Sequence, residues 1–115
     1  VDAGADIVLG HHPHVLQPVE IYKGKPIVWS MGNFVFDQFW SVPTRESVIL
    51  SFDFEGSMLT AIRAVPIWIN DQTQPTIATE PTRSAILKTL QMPEGMIDMK
   101  ALQGSSSVGT ISGGL

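Results

Sequence analysis

The stretch that decides the fold of this sequence is Gly10-His11-His12-Pro13-His14-Val15-Leu16-Gln17-Pro18, which contains all three histidines of the 115-residue chain. It follows the apolar run Ala5-Asp6-Ile7-Val8-Leu9, which glycines bound on both sides and which is typical of a buried parallel strand. Loops that leave the carboxyl ends of parallel strands meet at one edge of the sheet, where α/β proteins bind ligands. The sequence therefore predicts a functional site in residues 10–18.

Pro13 adds an expectation about the geometry of this loop. The residue before a proline is disfavoured in the helical region, so we expect His12-Pro13-His14 to be extended, with His12 and His14 on one side. His11 then projects elsewhere. A neutral imidazole is a common ligand for transition metals, and two from one segment can share an ion. The loop therefore favours a metal or acid–base site over three structural histidines.

Composition narrows the classes of partner and ligand. Seven basic residues against eleven acidic ones give a formal charge of -4, without a basic run, so nucleic acid is not an expected partner. The absence of cysteine excludes disulfides and thiolate ligands, which leaves nitrogen and oxygen atoms to hold a metal. No apolar run approaches the roughly 18 residues that a membrane helix needs.

The first residues resemble the inside of a fold. Val1 to Asp6 is typical of a helix end capped by Gly4 and followed by a strand, and no initiator methionine precedes it. A parallel strand also needs a neighbour reached through a crossover connection. We therefore expect the C-terminal part of a larger α/β protein, and we expect residues 1–115 alone to be inactive.

Further along, the patterns predict two hairpins and one helix. A turn at residues 23–25 should join strands at 19–22 and 26–30, and a second antiparallel pair, 47–54 with 58–69, should close the same sheet. Ile86, Leu87 and Leu90 have helical spacing within residues 81–91. We place the C-terminal part of one domain at 1–91 and a low-complexity, mobile tail at 92–115.

Asn33 is the second candidate for a functional residue. It follows Gly32 immediately after a predicted strand, so the backbone can turn tightly and aim the carboxamide at the histidine loop. An asparagine that only satisfies backbone groups of its own turn fits the same spacing. Both interpretations stay open on the sequence, and the functional one predicts that Asn33 faces the loop rather than solvent.

Several of these segments together resemble one protein family. They are Asp2-Ala3-Gly4-Ala5-Asp6, Gly10-His11-His12-Pro13-His14-Val15-Leu16-Gln17, Ile21-Tyr22-Lys23-Gly24-Lys25-Pro26-Ile27, Gly32-Asn33-Phe34-Val35-Phe36-Asp37 and Thr44-Arg45-Glu46-Ser47. In order and spacing they resemble the bacterial CapA-type capsule synthesis family, the poly-gamma-glutamate biosynthesis proteins, over about residues 1–91. The tail is unmatched.

The resemblance implies a calcineurin-like metallophosphoesterase fold, an α/β/α sandwich whose strand-end loops hold two divalent metal ions. The Gly-His-x-His loop of that superfamily resembles the histidine loop, which carries one extra residue, so His11 or His12 could stand for the first histidine; the expected extended geometry favours His12. We thus predict His12 and His14 as metal ligands and His11 and Asn33 as catalytic residues. The superfamily's Asp, Gly-Asp and Asn-His motifs would lie upstream of Val1.

For function, the resemblance implies part of a capsule or poly-gamma-glutamate biosynthesis protein. Its parent would be a metal-dependent hydrolase or transferase acting on a phosphoester or an anionic envelope polymer. Possible partners include a capsule-synthesis membrane complex, with the parent membrane-associated at the bacterial cell envelope. Two alternatives stay open: a non-catalytic, polymer-binding component of capsule assembly or export, and an enzyme that uses histidine acid–base chemistry without metal. The fold does not choose among them.

Overall fold

The computed structural model describes residues 1–37, 41–103 and 111–112. The strands are β1 Val8–Leu9, β2 Val19–Tyr22, β3 Lys25–Val28, β4 Glu46–Glu55, β5 Met58–Ile69, β6 Pro75–Ile77, β7 Met96–Asp98 and β8 Ile111–Ser112. The helices are α1 Thr82–Leu90 and α2 Met99–Gln103, and Pro43–Arg45 forms a 3₁₀ turn. Neither helix has the length and apolar character needed to cross a membrane.

The first sheet has the strand order β1-β3-β2-β8. β1 is parallel to β3, whereas β2 is antiparallel to both β3 and β8. The turn between β2 and β3 places Lys23 and Gly24 at φ values of 51° and 77°. Two successive left-handed residues form the tight turn whose twist matches that of a hairpin. The predicted hairpin and the predicted parallel strand are therefore both confirmed.

β1 is shorter and more exposed than its sequence predicts. Val8 and Leu9 are 36% and 52% exposed, although the apolar run favours a buried strand. Among the described residues β3 is the only strand that pairs with β1, so β1 lies at an edge. The prediction of burial is wrong here because an apolar run can be buried only where another layer covers it.

The second sheet is built on the long antiparallel pair β4–β5, with β6 and β7 both paired to β5. The predicted pairing is confirmed, but the pair forms a sheet of its own instead of closing the first. Isolated bridges join Leu16 to Met31 and Gly32 to Ser47 of β4, so the segments that follow β1 and β3 contact each other and the second sheet.

One hydrophobic core joins the two sheets and α1. Val19 and Val28 of the first sheet are fully buried in the same cluster as Ile62 of β5. α1 adds the residues that its periodicity predicts, Ile86, Leu87 and Leu90, each at most 1% exposed. Burial of such side chains supplies most of the stability of a small domain. The α/β class, with hairpins and a helix towards the C-terminal end, is confirmed.

The structure differs from the predicted domain boundary at residue 91. Met92 and Met99 are fully buried, Ile97 is 7% exposed, and all three belong to the common core. Residues 92–103 are thus part of the folded unit. The sequence pattern missed them because their apolar side chains follow neither helical nor strand spacing. Residues 104–110 and 113–115 lie outside the described residues, so the mobile tail stays a prediction for them.

Candidate functional site

Two loops meet where the parallel strands β1 and β3 end. The histidine loop, residues 10–18, leaves β1, and the asparagine loop, residues 29–37, leaves β3. The N–H of Gly10 donates to the Val28 carbonyl at 2.8 Å, and the N–H of Met31 donates to the Gly10 carbonyl at 2.9 Å. These bonds extend the contact between the strands into the loops. The structure therefore brings the predicted histidines and the predicted asparagine to one edge of the sheet.

Glycine is required at two positions for this approach. A Cβ at Gly10 would clash with the carbonyl oxygen of Trp29. Gly32 has a φ of 70°, and a Cβ there would lie 2.7 Å from the carbonyl oxygen of Glu46. Real side chains avoid both situations, the second because left-handed backbone is also costly for residues other than glycine. The two glycines let the loops lie closer to neighbouring backbone than any other residue allows.

The histidine loop is a turn, and the predicted extended geometry is wrong. The N–H of His14 donates to the carbonyl of His11 at 3.1 Å, and His14 has a φ of 63°. The preference that Pro13 imposes acts on His12 alone and can be met inside a turn. Histidine enters the left-handed region more readily than most residues, so the chain can reverse at His14. In this turn His12 and His14 are not successive same-side positions of an extended strand.

A buried serine, which the sequence interpretation overlooked, connects the loops. Ser30 is fully buried, its hydroxyl donates to the His11 carbonyl at 3.3 Å, and it accepts from the N–H of Gly32 at 3.2 Å. A polar residue directly after an apolar strand was the available signal. By contrast, all three histidine side chains are exposed. The backbone of the loop is therefore fixed while its imidazoles face outward.

Asn33 lies where the functional interpretation predicts, against the histidine loop. It is 6% exposed, its Oδ1 lies 2.8 Å from Nδ1 of His14, and its Nδ2 donates to the Thr44 carbonyl at 3.0 Å. A carbonyl oxygen only accepts, so the amide nitrogen must face Thr44 and Oδ1 must face His14. This contact favours the neutral His14 ring that carries its hydrogen on Nδ1. The lone pair of its Nε2 is left for a ligand.

The ring of Phe36 provides a second contact for His14. The two ring centroids lie 5.3 Å apart, with an angle of 35° between the planes. Aromatic pairs at this separation contribute beyond the area that they bury. For the His12 ring, the described part of the chain offers no hydrogen bond or ring contact. His14 is thus the one of the two predicted ligands whose ring is held in place.

The number and grouping of donor atoms decide whether these residues can hold a metal ion. In residues 1–37, 41–103 and 111–112, no three His, Asp or Glu side chains lie close enough to hold a metal together. His14 by itself fits as a ligand, because a hydrogen bond from its other nitrogen is the usual arrangement for metal-bound histidine. The described residues thus offer one oriented nitrogen ligand, not a complete coordination sphere.

Glu46 is a titratable group near the site that the sequence interpretation did not select. It opens β4 directly after the turn that holds Thr44, and it is 9% exposed. Burial raises the pKa of its carboxyl above the ordinary value, because the charged form loses water. Glu46 therefore carries an electrostatic cost in the fold at neutral pH.

A cleft of about 300 Å³ opens beside His11. Its walls are His11, Met31, Gly32, Phe34, Ser47, Val48, Ile49 and Leu50. Most of these side chains are apolar, so the cleft suits the hydrocarbon part of a molecule or a neighbouring protein segment more than a charged group. The imidazole of His11 is the titratable group at its wall.

The amino-terminal part of the chain is similar in sequence to the proteins of one family. Residues 1–38 match the family described as bacterial capsule synthesis protein PGA_cap. The chain is 47% identical over 72 residues to the PGA biosynthesis protein CapA of Bacillus subtilis (strain 168). It is 45% identical over 71 residues to the capsule biosynthesis protein CapA of Bacillus anthracis. The histidine and asparagine loops both fall inside or at the border of the matched family region.

These matches cover most of this chain but little of the relatives. The first aligned region is 63% of this chain and 19% of the Bacillus subtilis protein, and the second is 62% and 17%. A probable polyglutamine synthesis accessory protein of Mycobacterium tuberculosis (strain CDC 1551 / Oshkosh) is 51% identical over 37 residues, 32% of this chain and 10% of that protein. The chain thus spans no more than about a fifth of these curated relatives.

Proposed function

We propose that this chain belongs to the CapA-type family of bacterial capsule synthesis proteins and forms part of a poly-gamma-glutamate or capsule biosynthesis protein. In that protein the histidine loop supplies ligands to a divalent metal site that hydrolyses or transfers a phosphoester or a bond of an anionic envelope polymer. The observation that carries the proposal is His14, whose Nε2 lone pair is directed outward by the hydrogen bond to Asn33.

The roles of the loop residues follow from their surroundings. His14 binds the metal through Nε2, and either His11 or His12 provides a second nitrogen. The histidine that does not bind the metal is placed to hold or release a proton as an acid–base group. The cleft beside His11 offers a mostly apolar wall on one side of the loop. When bound, a divalent metal lowers the pKa of a coordinated water and stabilises negative charge on the attacked centre.

Remaining ligands would come from residues outside this chain, since the described part contains no group of three. The family relatives are several times longer than the aligned region, which leaves room for them. The dinuclear centre and the anionic substrate belong to this proposal, as do a membrane-associated capsule complex as partner and a location at the cell envelope.

The test is the metal content of the protein at its natural length, measured by elemental analysis after one purification protocol. His11→Ala, His12→Ala and His14→Ala are compared with the unsubstituted protein. We expect His14→Ala to lose most of the bound metal and one of the other two variants to lose a similar share. Whichever of the remaining variants keeps its metal but turns over more slowly identifies the acid–base histidine.

Tyr22→Phe is the control, because it alters a half-buried side chain on the same sheet, whose hydroxyl donates to Asp2 away from the loop. Metal retained in full by all three histidine variants would contradict the proposal. If the unsubstituted protein holds no metal, the loop functions either without metal or in polymer binding. Activity that persists without metal but disappears in a histidine variant would then indicate acid–base chemistry.

A further inference from the structure

The contact between Asn33 and His14 assigns Asn33 a task different from catalysis. We propose that Asn33 is a positioning residue: it fixes His14 as the tautomer protonated on Nδ1 and thereby presents the Nε2 lone pair to a metal, without touching substrate. This inference rests on the proposed function for its purpose, but the tautomer itself is a property of the chain that can be measured without metal.

Three groups in series determine the tautomer. The Thr44 carbonyl accepts from Nδ2 of Asn33 at 3.0 Å, so Oδ1 of Asn33 must face Nδ1 of His14 at 2.8 Å. The opposite tautomer would set two lone pairs against each other at that distance. Reversing the amide would instead set the amide oxygen against the Thr44 carbonyl oxygen. Either change leaves acceptors unpaired.

Burial makes this arrangement specific. Asn33 is only 6% exposed, so water cannot readily replace a lost partner of its carboxamide. His14 is exposed, and in water neither nitrogen of a free imidazole is obliged to carry the hydrogen. The buried amide therefore imposes a choice on an exposed ring that the solvent would leave open.

The neighbouring residues fix the position of the His14 ring as well as its tautomer. The left-handed backbone of His14 turns the side chain towards the asparagine loop, and the Phe36 ring lies 5.3 Å from the imidazole. Residues that orient a ligand through its second nitrogen typically contribute 10- to 100-fold to metal affinity. We expect Asn33 to act in this range.

The experiment uses the metal-free protein at its natural length with ¹⁵N-labelled histidine, at a pH of about 8, where free imidazole is neutral. Long-range ¹H–¹⁵N spectra distinguish the two tautomers, and His14→Gln identifies the His14 signals. We expect His14 in the unsubstituted protein to be protonated on Nδ1. A ring protonated on Nε2 overturns the inference and requires no variant, so a misfolded substitution cannot rescue it.

Asn33→Leu removes the acceptor while keeping a similar volume, and it should shift His14 towards the Nε2-protonated tautomer. Titration with Zn²⁺ should then show about 10- to 100-fold weaker binding. Thr60→Val is the control, because it deletes a hydroxyl on β5 that donates to the Asp53 carbonyl, away from the two loops. It should preserve both the tautomer and the Zn²⁺ affinity.

The outcomes separate this inference from the proposed function. Zn²⁺ binding that is equal in Asn33→Leu and the unsubstituted protein overturns the positioning role but leaves the metal site standing. An Nδ1-protonated His14 that shifts in Asn33→Leu, in a protein that binds no metal, supports the control of the tautomer and overturns the proposed metal function.

Discussion

The two sheets of this molecule divide stability and chemistry between them. The second sheet rests on strands of ten and twelve residues, and its central strand β5 carries Ile62, which is fully buried. The strands of the first sheet have two to four residues, and its edge strand β1 is exposed, yet both candidate loops leave this sheet. The comparison indicates that a long hairpin supplies a rigid frame and that the candidate site is built at the less covered edge.

The largest effect on stability should come from the core of the long β4–β5 hairpin. Ile62→Ala removes a fully buried side chain from the core between the sheets and α1, so we expect a loss of about 3–4 kcal/mol in the free energy of unfolding. Urea unfolding measures the loss. Ile49→Ala, on the same sheet but 44% exposed, is the control and should cost less than about 1 kcal/mol. Equal losses of stability for the two variants would contradict the view that the buried side of the second sheet supplies the stabilising frame.

A smaller loss of stability is expected at Gly10, where β1 of the first sheet leads into the histidine loop. In Gly10→Ala the new methyl group meets the Trp29 carbonyl, and the resulting backbone shift should cost about 2 kcal/mol. Gly24→Ala is the control: nothing lies within 4 Å of its Cβ, so only the left-handed φ of 77° opposes it, at about 1 kcal/mol. Unfolding by urea measures both. A Gly10 variant as stable as the Gly24 variant would show that the loops do not depend on close backbone contact.

The smallest effect on stability concerns Glu46, which lies where the two sheets meet. Unlike the substitutions above, its replacement should stabilise the protein. Because burial raises the pKa of Glu46, the folded state holds this proton more tightly than the unfolded state. Its contribution to stability is therefore greatest below the unfolded pKa and is lost as the pH rises through the folded pKa. Glu46→Gln should be slightly more stable than the unsubstituted protein at neutral pH, with the difference decreasing as the pH falls towards 4.5.

Unfolding curves at several pH values test the Glu46 prediction. Glu94→Gln, which alters an exposed carboxyl after α1, serves as the control for the general effect of removing one charge. A stability gain in Glu46→Gln that is independent of pH would show that the gain does not come from the buried charge, and a loss at neutral pH would show that the fold stabilises the carboxylate.

The sequence predicted the elements that have a regular pattern. The apolar spacing of α1 and the Lys23-Gly24 turn each repeat a local rule, and the structure follows them. It did not predict that the β4–β5 pair forms its own sheet or that Met92, Ile97 and Met99 enter the core. Those outcomes depend on how distant segments pack, and no local period encodes that packing.

For the candidate site, the sequence identified residue types better than geometry. The clustering of the histidines and the position of Asn33 after a strand were sufficient to predict that the two loops meet. The direction of the His14 ring was not predictable from Pro13, because it depends on a left-handed backbone and on a buried amide from another loop. The role of Thr44 left no signal at all, since the group that orients Asn33 is a backbone carbonyl.

Arg45 gives the Thr44 carbonyl its fixed place, and this has a consequence for movement. Its guanidinium donates to the Ile69 carbonyl at 2.9 Å, pairs with Asp71 at 2.6 Å and lies 4.7 Å from the centre of the Trp68 ring. The peptide between Thr44 and Arg45 is therefore anchored to the end of β5. Mechanically, the amide of Asn33 travels with the second sheet, although its own residue belongs to a loop of the first. A shift of the second sheet against the first would therefore reach the His14 ring through the Thr44 carbonyl and the Asn33 amide.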